Sequence, residues 1–91
     1  MHKDQAAQLF GALSEPTRVK CMKLLYHNGE MDREKLALCN GVDEEKIKAE
    51  TAVLADAGLI FVNGNVCRCN KQLFDELTSF IATPCGCVKL D

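Results

Sequence analysis

Residues 59–69 read Leu-Ile-Phe-Val-Asn-Gly-Asn-Val-Cys-Arg-Cys. An Asn-Gly step between two β-prone runs is the sharpest short-range signal for a β-hairpin, because both central residues of a type I′ turn need positive φ. A turn centred on Asn63-Gly64 pairs Val62 with Asn65, Phe61 with Val66 and Ile60 with Cys67. One face of the ribbon then carries Leu59, Phe61, Val66 and Arg68. The other carries Ile60, Val62, Asn65, Cys67 and Cys69. The first face holds the larger apolar groups and is expected to meet the core, which turns both cysteines outward. A lone hairpin is marginal in water, so the rest of the chain must give it something to pack on.

The rest reads as helices. Ala6, Leu9, Phe10 and Leu13 share one helical face over residues 5–13. Ser14 or Glu15 can cap a second helix, and Pro16 suits its first turn because no N–H is needed there. Val19, Met22, Leu25 and Tyr26 continue at helical spacing, with Arg18, Lys20 and Lys23 mostly on the other side. Asn28-Gly29 ends that helix, with His27 in its last turn. Asp32 and Asp43 each look like an N-cap, and the pairs Met31/Leu36 and Val42/Ile47 staple the helices that follow. Asn40-Gly41 separates these two helices, the second runs to Ala57, and Gly58 follows as its C′ residue. Together they form a helix-turn-helix. Asn70 caps a last helix over residues 71–82, lined by Leu73, Phe74, Leu77, Phe80 and Ile81 and stopped by Pro84. The expected fold is therefore mainly α: a winged helix-turn-helix of about five helices plus a two-stranded wing. It occupies residues 1–91 as a single domain, with a flexible tail at about residues 83–91.

Ninety-one residues leave room for one small domain. A chain this short buries only about 60–65% of its unfolded surface, so a partner chain would help. The net charge of −2 excludes a strongly basic nucleic-acid coat and offers no anchor for an acidic membrane. No apolar run suits a signal peptide or a membrane span, so a cytoplasmic protein is expected. No nucleophile–base arrangement, phosphate loop or paired-carboxylate constellation stands out, so an enzyme is not expected. His2 lies in the N-terminal tail, and His27 reads as a helix-end residue rather than a ligand.

Two segments carry a family resemblance. Ala12-Leu13-Ser14-Glu15-Pro16-Thr17-Arg18 resembles the opening of the ArsR/SmtB family of metal- and thiol-responsive repressors. Val53-Leu54-Ala55-Asp56-Ala57-Gly58-Leu59-Ile60 resembles the end of that family's recognition helix and its approach to the wing. The likeness spans residues 9–81. It implies a homodimer paired largely through the first and last helices, here Leu9, Phe10 and Leu13 with Phe74, Leu77 and Ile81. It also implies contact with double-stranded DNA through residues 44–52 and the wing, with Glu45, Lys46, Lys48 and Ala49 on the reading helix. Arg33, Lys35, Asn63 and Arg68 would support them.

The chain departs from the family in two places. The family's common metal signature puts cysteines at the start of the third helix, where this chain has Met31-Asp32-Arg33-Glu34-Lys35. The reading helix is also acidic: residues 43–56 hold five acids against two bases, a local charge of −3. Glu can accept from a cytosine amino group, but acids near phosphates oppose the electrostatic part of binding. Beside an ArsR-type regulator therefore stands a second reading, a non-DNA-binding thiol, metal or protein-interaction module on the same fold.

Six cysteines are the unusual count. Cys67-x-Cys69 and Cys85-x-Cys87 could together hold zinc or another thiophilic metal ion, or form a reversible disulfide with no metal. Strand residues i and i+2 share a face but lie roughly 6–7 Å apart, which is wide for one ion. The intervening helix spans about 18 Å, so the tail must fold back or the second pair must come from the dimer mate. Cys21 and Cys39 are expected to be buried small hydrophobes.

Overall fold

The computed structural model describes residues 1–84. Five helices and three strands follow in the order α1 (Lys3–Ala12), α2 (Pro16–Asn28), β1 (Glu30–Asp32), α3 (Arg33–Asn40), α4 (Glu44–Asp56), β2 (Ile60–Asn63), β3 (Val66–Cys69) and α5 (Lys71–Ala82). The fold is a winged helix-turn-helix.

The capping residues set the helix boundaries. The Glu15 carboxylate accepts from the Thr17 and Arg18 N–H groups at 2.9 and 3.2 Å, with Pro16 in the first turn. Asp32 accepts from Lys35 N at 2.7 Å and Asp43 from Lys46 N at 2.8 Å. Each satisfies one donor that a helix start leaves without an intrahelical partner. The His2 ring caps α1 in the same way, so that helix starts earlier than the apolar pattern alone suggests.

The wing differs from the expected hairpin in three respects. It has three strands, in the order β1-β3-β2, all antiparallel. The segment Glu30–Asp32 was legible only as a helix start, yet it pairs Met31 with Cys67 before Asp32 caps α3. The register also differs. Asn63 pairs with Val66, Val62 with Cys67 and Ile60 with Cys69. Gly64 and Asn65 thus form the turn, and only Gly64 has positive φ, at 61°. A turn of II′ character needs one such residue at its first central position, and glycine adopts it at less cost than Asn63 would.

The third difference is the face that meets the core. Each residue's partner moves by two positions, so the sets of residues sharing a face survive, apart from Asn65, which moves into the turn. The buried face is nevertheless the cysteine face: Ile60, Cys67 and Cys69 are buried with Met31 beside them, whereas Phe61 and Val66 are exposed. Leu25, Leu36 and Leu54 already fill the core, so small thiols fit under the helices where a phenyl ring would not. Arg68 covers the displaced Phe61 ring from the solvent side, 4.9 Å from its centroid.

Candidate nucleic-acid interface

Only Gly41, Val42 and Asp43 separate α3 from α4. Gly41 takes the left-handed conformation, φ 66°, that turns the chain. Leu36 and Ala37 on α3, with Ile47, Thr51 and Leu54 on α4, lock the two helices into the core. The Thr51 hydroxyl donates to the Ile47 carbonyl at 2.7 Å, so no buried polar atom of that residue is left over. The opposite face of α4 presents Glu44, Glu45, Lys46, Lys48, Ala49 and Ala52 to solvent. Of the residues expected at DNA, Glu45, Lys46, Lys48 and Ala49 therefore share one exposed face. Lys35, Asn63 and Arg68 are exposed as well.

Arg33 is placed otherwise. It is half-buried, its Nε has no hydrogen-bond partner, and its guanidinium lies against the Cys67 thiol. Its backbone N–H donates to Asn65 O at 2.9 Å, which ties the wing turn to the start of α3. Arg68 is committed to Phe61 on the outer face of the sheet.

One cluster lies behind the exposed face of α4, and its only sequence signal was the Glu15-Pro16-Thr17-Arg18 run. Arg18 Nη1 donates to Glu50 on α4 at 2.7 Å, and its Nε donates to the Ala12 carbonyl at the end of α1 at 2.6 Å. Both side chains of this ion pair are largely shielded, 15% and 17% exposed. Desolvation works to raise the Glu15 carboxyl. The Arg18 N–H, the Glu50 side chain, the Thr17 N–H and the Lys46 charge outweigh it and leave its pKa lowered. The acidity of residues 43–56 is thus internal at one position, where Glu50 is neutralised by Arg18.

The cysteines are redistributed relative to expectation. Cys67 and Cys69 are buried, as is Cys21, while Cys39 is exposed rather than buried. Burial pushes the Cys67 thiol up, against the nearby Arg33 charge, and also pushes Cys69 up, against Lys71. Cys21 is pushed up by burial to about 11, although Asn40 donates to its sulfur. Metal ligands and nucleophiles are thiolates, and these three sites favour the neutral thiol. Among the described residues, no group of three or more His, Cys, Asp or Glu side chains could hold a metal ion. Cys67 and Cys69 alone do not fit a metal centre, and Cys85 and Cys87 lie outside the described residues.

Of the six expected dimer residues, Leu9 and Leu77 are buried within the chain's own core. Leu13 and Phe74 are half-buried against it. Phe10 is 46% exposed and Ile81 is 59% exposed. Only these last two offer a large apolar surface to another chain.

No protein-family model and no curated protein matches the sequence. Solved structures do. An ArsR family transcriptional regulator aligns with a TM-score of 0.73 at 22% identity, over 90% of this chain and 88% of that one. The fold is that of ArsR-family winged-helix regulators. A homodimeric winged helix-turn-helix DNA-binding domain from Mycobacterium bovis, a possible ArsR-family regulator solved in solution, aligns with a TM-score of 0.70. Its identity is 24%, over 87% of this chain and 76% of that one. A crystal structure of a fragment of a possible transcriptional regulatory protein from the same organism gives a TM-score of 0.65 at 24% identity, over 88% and 94%. No helix of the described residues is long and apolar enough to cross a membrane.

Proposed function

We propose that this chain is a homodimeric transcriptional regulator that reads double-stranded DNA with the exposed face of α4 and steadies itself with the wing. One observation carries this reading: Asp43, Gly41 and the buried Ile47–Thr51–Leu54 line hold α4 so that Glu45, Lys46, Lys48 and Ala49 project together from its N-terminal half. That is the half of a recognition helix that meets base edges in the major groove. Lys46 and Lys48 supply phosphate contacts, and Glu45 is suited to a cytosine amino group. Selection from random duplexes at low salt tests it. A preferred sequence supports the function, and the absence of one opposes it.

The acidic first turn of α4 favours a second reading. Glu44 and Glu45 are both exposed there with no salt-bridge partner among the described residues. A protein-interaction module on this fold would bind a basic partner surface through that turn and show no duplex preference. Charge reversal at Lys48 separates the two readings, since it weakens DNA binding and strengthens contact with a basic surface.

Metal or redox control adds a separate requirement to the regulator. Cys67 and Cys69 would have to leave the core and lose a proton, and a third and fourth ligand would have to come from Cys85 and Cys87. Elemental analysis of anaerobically purified protein, beside a Cys85→Ser/Cys87→Ser variant, tests this. Metal lost with the tail pair supports it, and metal content that is absent or unchanged opposes it.

A further inference from the structure

Ala49, Ala52 and Val53 form an exposed apolar patch on α4. Val53, a β-branched residue, is 39% exposed. At about 100° per residue, Glu45, Ala49, Ala52 and Asp56 fall on one line along α4, opposite the buried Ile47, Thr51 and Leu54. That line is the outermost part of the helix. Val53 stands one turn beyond Ala49, and the exposed Lys46 and Lys48 flank the line on opposite sides. The centre of the exposed face is therefore small and apolar, with its cations at the flanks. α4 contains no Arg, Asn or Gln, and so lacks three of the side chains that grip guanine or adenine edges bidentately.

In the major groove of a duplex the distinctive apolar group is the thymine C5-methyl. We infer that the DNA bound by α4 carries thymine methyl groups packed on Ala49, Ala52 and Val53, so that these three residues set its sequence preference together with Glu45. The inference rests on the regulator reading and names the class of duplex that the same site takes. Alanines on the outermost line let the helix approach the base edges closely, and Lys46 and Lys48 then reach phosphates on either side. Ala49 lies about 6 Å along the helix from Glu45 and Val53 about 12 Å, at ~1.5 Å per residue. A helix lying along the groove then places the thymines about two to four base pairs from the cytosine that meets Glu45, at ~3.4 Å per base step. A protein partner fits the patch less well. Protein interfaces are anchored by large side chains seated in pockets, and a convex patch of two alanines and a valine supplies neither.

The test starts from the sequence recovered by duplex selection with the full chain. Each thymine is replaced in turn by deoxyuridine, which removes the methyl and keeps every base-edge hydrogen bond. Binding should weaken about fourfold per contacted methyl, at two or more positions in a half-site. Ala49→Ser and Val53→Ser, both at exposed positions, should keep the fold, as read by thermal denaturation. Each should reduce the deoxyuridine penalty at the position its side chain meets and leave the others unchanged. A preferred sequence indifferent to deoxyuridine overturns this inference and leaves the regulator reading standing. So does a penalty that neither variant alters, because the methyl then acts through duplex shape rather than through contact. Recovery of no preferred sequence overturns both.

Discussion

At the residue scale, Arg18 joins the end of α1 to the middle of α4 through two short hydrogen bonds. Removing one partner of a shielded pair leaves the other without compensation, which is worse than losing a surface contact. Arg18→Ala should therefore destabilise the fold by about 2–3 kcal/mol in chemical denaturation. Arg18→Lys should recover only part, because an ammonium cannot reproduce the two-pronged geometry. A loss under about 0.5 kcal/mol, the size of a surface pair, would contradict this account. The buried thiols make a prediction about pH. Cys21, Cys67 and Cys69 all hold their protons more tightly when folded than the ordinary value of 9.0 implies. Below that value both states are protonated and stability is unaffected. Above it the unfolded chain loses protons first, so stability falls from about pH 9 towards the folded value near 11 for Cys21. Each thiol can contribute at most about 1.4 kcal/mol per pH unit in that window. Denaturation midpoints measured from pH 8 to 11 check the sign. Alkylation of the Cys85→Ser/Cys87→Ser variant at pH 8 should modify Cys39 well before the other three.

At the element scale, the wing shows what a sequence can and cannot specify. The capping residues, the helix order and the residue sets of each wing face were legible because they depend on local chemistry: Asp32, Asp43 and Asn70 each bond a neighbouring N–H. The wing's orientation was not legible, because it depends on how much volume distant helices leave beneath the sheet. Phe61 outranks Cys67 in apolar size, and size alone pointed the wrong way. The strand at Glu30–Asp32 was hidden because its pairing partners lie more than thirty residues later. The Arg18–Glu50 link was hidden for the same reason. Paired substitutions test the observed orientation. Phe61→Ala should cost about 1 kcal/mol or less, since the ring is half exposed, whereas Cys67→Leu should cost about 1–3 kcal/mol by overpacking. The reverse order would return the phenyl ring to the core. Asp43→Ala should cost about 1 kcal/mol through loss of the α4 cap, read as a lower thermal midpoint, and Asp43→Asn much less.

At the scale of the whole molecule, the small core and the two exposed apolar residues on α1 and α5 argue for pairing. Phe10→Glu together with Ile81→Glu should shift the chain to monomer in sedimentation, and should make its thermal midpoint independent of concentration. A two-fold dimer presents two α4 helices, so its target should be a pseudo-palindrome with half-sites about one helical turn apart. The charge balance bears on how tightly such a dimer binds. Once Glu50 is paired, the exposed acids of residues 43–56 are Asp43, Glu44, Glu45 and Asp56, set against Lys46 and Lys48. That excess of acid predicts modest affinity with a shallow salt dependence, and specificity carried by base-edge contacts. The most direct measurement is selection of the dimer against random duplexes at low ionic strength, followed by a salt titration on the recovered sequence. The account predicts an enriched pseudo-palindrome whose binding Lys48→Glu weakens. Recovery of no preferred sequence, with the dimer intact, would contradict it.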